Sequence, residues 1–593
     1  MRRAFLTPRA HTRYFFQFLL AHSQDCLLSM LRQNAAMHAT GIPPEVLDHI
    51  LGMVYSDRDL ARCARVCKNW EHPALRHLWR EMPPVHALFS LLGTLSAIDP
   101  QPLVRISIIV HAPYRSDITL IRLQEFEDQP DVSAWERFQR YASMIRSITL
   151  ALGTTPEEED MEHYNHVSKA AFQEVMFIAI AMDQNMFPFA REINIIVLDT
   201  ESAKLSASLV HCGLLRLHLD WTYVPARSIG PMLKRIETKS RVNELDVLFD
   251  ARDDTVPGVL PLLGDALNRL HALEKLQLQS FVMFDQHVWE NIRDLSSLRN
   301  IYSRPAYGEQ YPTPELGFSG GFPVLTEFRC ALSYATALRL FSSPTTKPQF
   351  QDISILVYEP SASNTQALLT EIARIAPDLR RFSMGFTQPQ PALAHEVFVP
   401  ILQLTSISSL ILCMDIQLTD ESFQLIVDAV PNLEVLSICP NTTSEPTKPL
   451  TTLRALDCIG RRCTSIREIH IYLDASKGEL PNYDTKLGQL PETLRNLNFG
   501  LSICNNTLAT ALQLMRMLRR CHPCIRSSRN YELYHDNEHP SVWKKYADAE
   551  RRWRQVAEFI GQLRPFVNSV TKTTTEYSDR SDVDKDTAMG ESP

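Results

Sequence analysis

The sequence predicts an α/β fold, in which a short N-terminal module of three helices precedes an irregular repeat solenoid with a parallel sheet on its concave side. Two observations predict it: a dense helical pattern of apolar residues between Ile42 and Met82, and a six-residue apolar template that recurs between residues 100 and 530. A chain of 593 residues is too long for one hydrophobic core. We therefore expect repeats that pack on their neighbours.

The N-terminal module is predicted from residues 41–82. Pro43 and Pro44 suit the entry of a helix, and the apolar residues that follow recur at three- and four-residue steps. Two further helical faces follow the Ser56-Asp57 turn, and we expect Pro73 to break the run between them. Three helices in about forty residues make a small core, and such a module tends to complete its core on a partner.

The order of residues in this module resembles the F-box consensus. The matching stretches are Ile42-Pro43-Pro44-Glu45-Val46-Leu47, Ile50-Leu51, Asp59-Leu60, Val66-Cys67-Lys68-Asn69-Trp70 and Leu78-Trp79. Ile42 stands where the family usually has Leu, and Pro73 shortens the gap before Leu78-Trp79. A generic three-helix bundle that caps the repeats is the alternative. Cys63 and Cys67 have helical spacing but no partner residues for zinc, so we interpret them as core residues.

The resemblance implies a function for this module. F-box helices bind a Skp-type linker subunit, which attaches the receptor to a cullin scaffold of a ubiquitin ligase. The residues that the resemblance places against the linker are Ile42, Pro43, Pro44, Val46, Leu47, Ile50, Leu51, Leu60 and Trp79.

The template beyond the module has the form apolar-x-x-apolar-x-apolar. From Ala190 onward it recurs at steps of about 24 to 33 residues, with helical stretches and Pro-containing breaks between matches, which resembles degenerate leucine-rich repeats such as those of fungal F-box proteins. Regular repeats of this kind carry an Asn three residues past the template. Only Asn441 fits, and Asp415 and Ser502 stand in equivalent places, so we expect an irregular solenoid over residues 100–530. A non-repeat α/β fold is the alternative.

The segments outside the repeats have their own predictions. Residues 1–36 carry five Arg and several Phe and Leu residues against one acid, Asp25, which resembles a mitochondrial transit peptide. A disordered extension, or a start upstream of a natural one at Met37, is the simpler interpretation. The acidic run at 154–161 is typical of a solvated insertion. An amphipathic stripe at 541–568 predicts a C-terminal capping helix, and 570–593 a disordered tail.

Composition and charge argue against several classes of partner. The formal net charge of −8 and pI of about 6.2 favour neither nucleic acid nor a membrane surface. No apolar run approaches the roughly 18 residues that span a bilayer. The 12 cysteines are irregularly spaced, which favours reduced thiols and a cytoplasmic or nuclear location.

No motif predicts an enzyme or a cofactor. Residues 317–321 fit Gly-x-Ser-x-Gly, but Pro312, Pro314 and Pro323 surround them where a nucleophile elbow needs a strand and a helix. Cys521 and Cys524 form a lone pair without a second pair at metal-site spacing. We expect a non-catalytic protein without a cofactor or metal.

The sequence therefore predicts a substrate receptor that binds an unidentified protein through the strands of the solenoid. Side chains at the x positions of the template point away from the core, and their mixed charges suit a protein ligand. The candidate substrate-binding residues are Arg216, His218, Lys275, Arg381, Glu434, Glu468 and His470. The alternatives are a leucine-rich scaffold or inhibitor that works outside any ligase, and an organellar protein addressed by residues 1–36.

Overall fold

The computed structural model describes most of the chain between residues 43 and 565. The described ranges are 43–54, 56–80, 85–97, 124–152, 166–167, 169–239, 241–304, 321–342, 348–358, 361–386, 392–439, 447–477, 488–519, 521–526, 545 and 547–565. The extension at 1–36, Ile42, the first template at 103–108, the acidic run at 154–161, residues 317–320, Asn441 and the tail at 570–593 lie outside these residues. The chain divides into two compact units, Met1–Val242 with Leu248–Thr255 (unit 1) and Asn243–Val247 with Val256–Pro593 (unit 2).

Unit 1 begins with the N-terminal module (residues 43–80), which is helical as predicted. Its helices are α1 (Pro44–Leu51), α2 (Asp57–Cys63) and α3 (Lys68–Leu78). Pro44 occupies the first turn of α1, where its missing N–H leaves no bond unmade, and the Ser56 hydroxyl caps α2 by accepting from the Asp59 N–H.

The prediction that Pro73 separates two helices is wrong. Pro73 lies inside α3, and the chain turns earlier, over residues 64–67. Trp70 and Ala74 flank Pro73 and are both buried, so packing of this helix on the other two outweighs the backbone hydrogen bond that proline cannot donate.

The rest of unit 1 alternates strands and helices. Its helices are α4 (Val85–Phe89), α5 (Trp135–Ala142), α6 (Lys169–Ala181), α7 (Thr200–Ser206) and α8 (Gly230–Lys239). Its strands are β1 (Leu95–Ala97), β2 (Gln124–Phe126), β3 (Ser147–Leu152), β4 (His166–Val167), β5 (Glu192–Val197) and β6 (Arg216–Trp221). The first two form an antiparallel pair, and the other four are parallel in the order β4-β3-β5-β6.

Unit 2 contains a longer parallel sheet. Its strands are β7 (Glu244–Phe249, of which 244–247 belong to this unit), β8 (Lys275–Gln279), β9 (Asn300–Arg304), β10 (Glu327–Leu332), β11 (Asp352–Val357), β12 (Arg381–Phe386), β13 (Leu393–Ala394), β14 (Ser409–Cys413), β15 (Ile416–Gln417), β16 (Val435–Cys439), β17 (Glu468–Ile471), β18 (Asn496–Asn498) and β19 (Cys524–Arg526). They pair in chain order, except that β13 and β15 form a separate small sheet. The predicted parallel sheet is thus confirmed.

Helices connect these strands. They are α9 (Val256–Asn268), α10 (Ser280–Met283), α11 (Gln286–Ile292), α12 (Tyr334–Ser342), α13 (Ala362–Ile375), α14 (Val399–Leu402), α15 (Asp420–Ala429), α16 (Arg454–Arg462), α17 (Thr507–Met517) and α18 (547–565). The apolar template positions, such as Leu325, Phe328 and Cys330, are buried under these helices. Apolar burial between sheet and helices therefore holds each strand–helix segment to the next.

A shared backbone hydrogen bond marks the start of most segments in unit 2. The N–H groups of two consecutive residues at a strand entry donate to one carbonyl of the preceding segment; Gln351 and Asp352, for example, both donate to Thr326. The accepting carbonyls belong to Asn243, Glu274, Arg299, Thr326, Gln351, Arg380, Ser408, Glu434 and Arg467. They recur every 25 to 33 residues, which sets the register of the sheet.

Polar side chains also link neighbouring segments of unit 2. The Ser502 hydroxyl accepts from the Leu473 N–H and donates to the Ile471 carbonyl, both at 2.9 Å, so it links neighbouring segments. The Asp415 carboxylate accepts from both the backbone N–H and the hydroxyl of Thr447 at 2.9 Å. The Ser502 bonds satisfy buried backbone groups of Ile471 and Leu473.

The last helix packs against the final segments of unit 2. The Trp553 ring stacks on Phe499 with centroids 3.7 Å apart, and its indole N–H donates to the Ser502 carbonyl at 3.0 Å. The Arg564 guanidinium donates to the carbonyls of Leu518 and Cys521. Within the described part of the chain, no helix is both long and apolar enough to cross a membrane.

Candidate protein-binding surfaces

The N-terminal module has an apolar core of its own. Its buried residues are Leu47, Leu51, Leu60, Cys63, Trp70 and Ala74, and Val54, Ala64, Cys67 and Leu78 pack around them. All three helices contribute, so the helical periodicity of the sequence corresponds to packing within the module.

The structure separates the predicted linker-binding residues into two groups. Leu47, Ile50, Leu51 and Leu60 are each less than 9% exposed, so little of their surface is accessible in this packing. Pro43 and Pro44 are exposed and Val46 is half-buried. Val66, a consensus residue not among the predicted contacts, is 46% exposed. Among the described residues of the consensus, exposed apolar side chains therefore lie at the start of α1 and in the turn after α2.

An ionic cluster fastens α1 to α3. The Asp48 carboxylate accepts from Arg76 at 2.7 Å and faces the His77 Nε2 at 3.0 Å. Burial of the carboxyl favours a higher pKa, but the hydrogen bonds and charges of Arg76 and His77 outweigh it and hold the pKa of Asp48 below its ordinary value. The cluster joins the middle of α1 to the last turn of α3.

The end of the module is joined to the first strands of unit 1. The Arg80 carbonyl accepts the N–H groups of Arg146 and Ser147 at 2.8 and 3.1 Å, which is the strand-entry pattern found throughout unit 2. Trp79, a predicted linker-binding residue, lies against Tyr141 of α5 with ring centroids 4.8 Å apart. The module is therefore attached to this unit by backbone and aromatic contacts.

A second polar surface lies on the sheet of unit 2, on the face opposite the buried template residues. We call it the polar strand face; it comprises the first and third residues of β7 to β12, β14 and β16, together with Arg304 at the end of β9. Its ionic half contains four acids and four bases on β7 to β12, together with Tyr302: Glu244, Asp246, Lys275, Arg304, Glu327, Arg329, Asp352 and Arg381. Its neutral half contains Ser409, Ile411, Val435 and Ser437 of β14 and β16.

Asp352 is the centre of the ionic half. It is 3% exposed, and Arg329 and Arg381 approach its Oδ2 at 2.7 and 2.9 Å. Arg381 also donates to Glu327 at 3.2 Å. On a neighbouring part of the face, Arg304 donates to Asp246 at 2.8 Å. A buried carboxylate needs such partners, because desolvation of an unpaired charge is unfavourable.

Tyr302 links the bases and acids of this half. Its hydroxyl donates to Glu327 at 2.5 Å, and Lys275 and Arg329 lie 5.2 and 5.4 Å from its ring centroid. Burial, together with the hydrogen bond and charge of Glu327, raises the pKa of Tyr302 to about 12. The phenol therefore stays neutral and keeps donating at any physiological pH.

The predicted substrate-binding residues lie on or beside several strands of the two units. Lys275 and Arg381 belong to the ionic half, whereas Glu434 faces Arg467 at 3.6 Å and Glu468 accepts from Asn496 at 3.0 Å. His470 is half-buried on β17. In unit 1, Arg216 pairs with Glu192 at 3.2 Å and His218 is half-buried on the same strand. Most of these side chains thus already contact a neighbour in the chain.

The candidates predicted from the sequence did not include Tyr302, Arg304, Glu327, Arg329 and Asp352 of the ionic half. The last three occupy x positions of their templates, so the rule that selected Lys275 and Arg381 applies to them as well. Among the described residues, no group of three or more His, Cys, Asp or Glu side chains is placed to hold a metal ion.

The geometry defines a small helical docking module joined to strand–helix segments. A comparison with known protein families gives a match for this module: the F-box-like family matches residues 40–82. F-box domains bind Skp-type subunits and act in general as ubiquitin-ligase adaptors. No curated protein matches the chain.

Proposed function

We propose that this chain is a substrate-recognition adaptor of a Skp–cullin–F-box type ubiquitin ligase. The observation that carries the proposal is the F-box-like match at residues 40–82, which falls on a helical module with its own core. The adaptor supplies no catalytic group: it raises the local concentration of a bound protein near a ubiquitin-charged enzyme, in the cytoplasm or nucleus.

The linker subunit binds the accessible apolar surface of the module. Pro43, Pro44, Val46 and Val66 make direct contacts, while Leu47, Ile50, Leu51 and Leu60 hold the helices that present them. This arrangement divides the F-box consensus residues between the interface and the core beneath it. The cluster at Asp48 supports the division, because it fixes α1, which carries the exposed prolines.

The substrate is a protein bound by a leucine-rich-repeat solenoid through its polar strand face. Strand–helix segments that recur every 25 to 33 residues support the repeat assignment. Equal numbers of acids and bases on the ionic half support a protein ligand with mixed charge rather than a polyanion.

A binding assay tests the adaptor role. The full chain is immobilised and a purified Skp-type linker subunit is titrated. We expect a Val46→Glu, Val66→Glu double variant to weaken binding by at least about tenfold, because two glutamates enter an apolar interface. The matched control, His49→Glu with Arg65→Glu, places the same side chains at exposed positions nearby and should stay within about twofold. Failure of the parent chain to bind overturns the proposal.

A scaffold that works outside any ligase is the second candidate. The observation that favours it is the shared hydrogen bond at Arg80, which makes the module resemble an end cap of the sheet in unit 1. A chain that does not bind the linker, yet loses stability in unit 1 when Trp79→Ala removes the contact with Tyr141, supports this alternative.

A further inference from the structure

A small cavity in unit 2 lies beside the ends of three neighbouring strands, β14, β16 and β17. We call it the strand-end cavity; its volume is about 190 Å³. Its apolar lining includes Met414, Phe423, Ile438, Cys439 and Ile471, which are each less than 9% exposed. Such a lining favours an apolar ligand.

The segment from Thr447 to Thr451 forms one wall of this cavity and is anchored at both ends. At its start, Asp415 accepts from the N–H and the hydroxyl of Thr447, and the Tyr472 hydroxyl donates to the Thr447 carbonyl, all at 2.9 Å. At its end, the Thr451 hydroxyl donates to the Leu418 carbonyl at 2.8 Å. These bonds preform the cavity, which lowers the entropic cost of binding.

Lys448 carries the charge that is open to a ligand at this cavity. It is exposed, and none of the described residues forms an ion pair with it. Asp415 also lines the cavity, but it is 7% exposed and both of its carboxylate oxygens accept from Thr447. The cavity therefore combines an apolar lining with a cation that an acidic group can pair with.

The neutral half of the polar strand face leads to this cavity. Ile411 and Ser437 are register neighbours, and the next register pair on the same face is Cys413 and Cys439. Cys439 lines the cavity. A protein segment that crosses the neutral half can therefore place one side chain in the strand-end cavity.

We propose that the strand-end cavity binds one apolar side chain the size of Phe, from a protein segment that carries an acidic residue beside it. A cavity of about 150 Å³ holds benzene, whereas pockets for drug-sized ligands exceed about 300 Å³. At about 190 Å³, the strand-end cavity has room for a single ring. The segment belongs to the substrate of the proposed adaptor, and to that extent the inference rests on the proposed function.

A peptide titration tests the proposal. The full chain is titrated with acetyl-Asp-Phe-Asp-amide, whose ring carries one fluorine atom, and binding is followed by fluorine NMR. We expect a dissociation constant on the order of 1 mM, because only one side chain is buried. The Asn-Phe-Asn peptide should bind about threefold more weakly, since it lacks the pair with Lys448. The Asp-Ala-Asp peptide, measured by competition, should bind at least about tenfold more weakly.

Variants of the chain separate the charge from the cavity. Lys448→Glu should weaken binding of the Asp-Phe-Asp peptide at least about threefold, and it should bind a Lys-Phe-Lys peptide more tightly than the parent chain does. Lys234→Glu makes the same charge change at an exposed residue that does not line the cavity, and it should leave both affinities unchanged. Cys439→Leu fills part of the cavity and should weaken both peptides at least about fivefold.

Three results overturn the proposal. They are the absence of saturable binding up to about 10 mM peptide, equal affinities for the Phe and Ala peptides, and equal affinities of the parent chain and Lys448→Glu for the Asp-Phe-Asp peptide. Lys448 is exposed, so its variant stays informative even if Cys439→Leu perturbs folding. No linker subunit is present in the titration, so a failure here is distinguishable from a failure of the adaptor role.

Discussion

The two halves of the polar strand face in unit 2 share one backbone arrangement and differ in chemistry. On β10 to β12 the register sets Glu327 beside Asp352 and Asp352 beside Arg381, and these charges pair with one another. On β14 and β16 the same positions hold Ser409 and Val435. The strand–helix framework therefore does not determine what its exposed face can bind. The charges of the ionic half are already paired with one another, whereas the neutral half carries the half-buried apolar side chains of Ile411 and Val435.

The largest expected effect on stability comes from removing the Asp352 carboxylate, the centre of the ionic half. Asp352→Ala leaves Arg329 and Arg381 without their buried acceptor, and we expect the free energy of unfolding to fall by about 2 kcal/mol. Urea denaturation measures the change. Glu434→Ala, at an exposed pair 3.6 Å apart, is the control and should change it by less than about 0.5 kcal/mol. Equal midpoints for the two variants contradict the assignment of Asp352 as the centre.

Removal of the Tyr302 hydroxyl has the next largest effect. Tyr302→Phe breaks a hydrogen bond to the charged Glu327 and should lower the free energy of unfolding by about 1.5 kcal/mol at neutral pH. The pKa of Tyr302 is raised to about 12, so its contribution is complete below pH 10, the ordinary phenol value, and is lost as the pH rises through 12. Stability curves from pH 9 to 12 should therefore fall more steeply for the parent chain than for the variant.

The smallest expected effect is that of a substitution in the neutral half. Ile411→Ala removes a half-buried side chain and should lower the free energy of unfolding by about 1 kcal/mol, equally at low and high salt. The loss in Asp352→Ala should shrink in 1 M NaCl, because its arginines are partly exposed and salt screens them. If salt changes the loss of unfolding free energy equally in both variants, the distinction between the two halves is contradicted.

The sequence predicted the strands of this face better than their contacts. The template at Leu325, Phe328 and Cys330 lies on β10 or just before it and predicts that Glu327 and Arg329 point away from the core. It does not reveal that Arg329 reaches Asp352 on the next strand, because that pair depends on the register between segments of unequal length. Likewise, the sequence does not reveal that the Ser502 hydroxyl bonds with Ile471 and Leu473, residues 29 to 31 positions earlier.

For the N-terminal module, too, the sequence predicted the secondary structure better than the contacts. Periodicity and the F-box resemblance located its helices, but local propensity placed a break at Pro73 where burial of Trp70 and Ala74 keeps the helix continuous. The consensus also does not distinguish residues that contact a partner from those beneath them. Leu51 and Pro44 are equally typical of the motif, yet one is buried and the other exposed.

The hydrogen bonds shared at most strand entries make unit 2 tolerant of changes in length. Because two N–H groups of one segment converge on one carbonyl of the segment before it, the register is fixed at that point and not by the loops. Loops can therefore gain or lose residues at little entropic penalty while the strands remain aligned. Such a chain can acquire new surface loops during evolution without rebuilding the sheet that carries them.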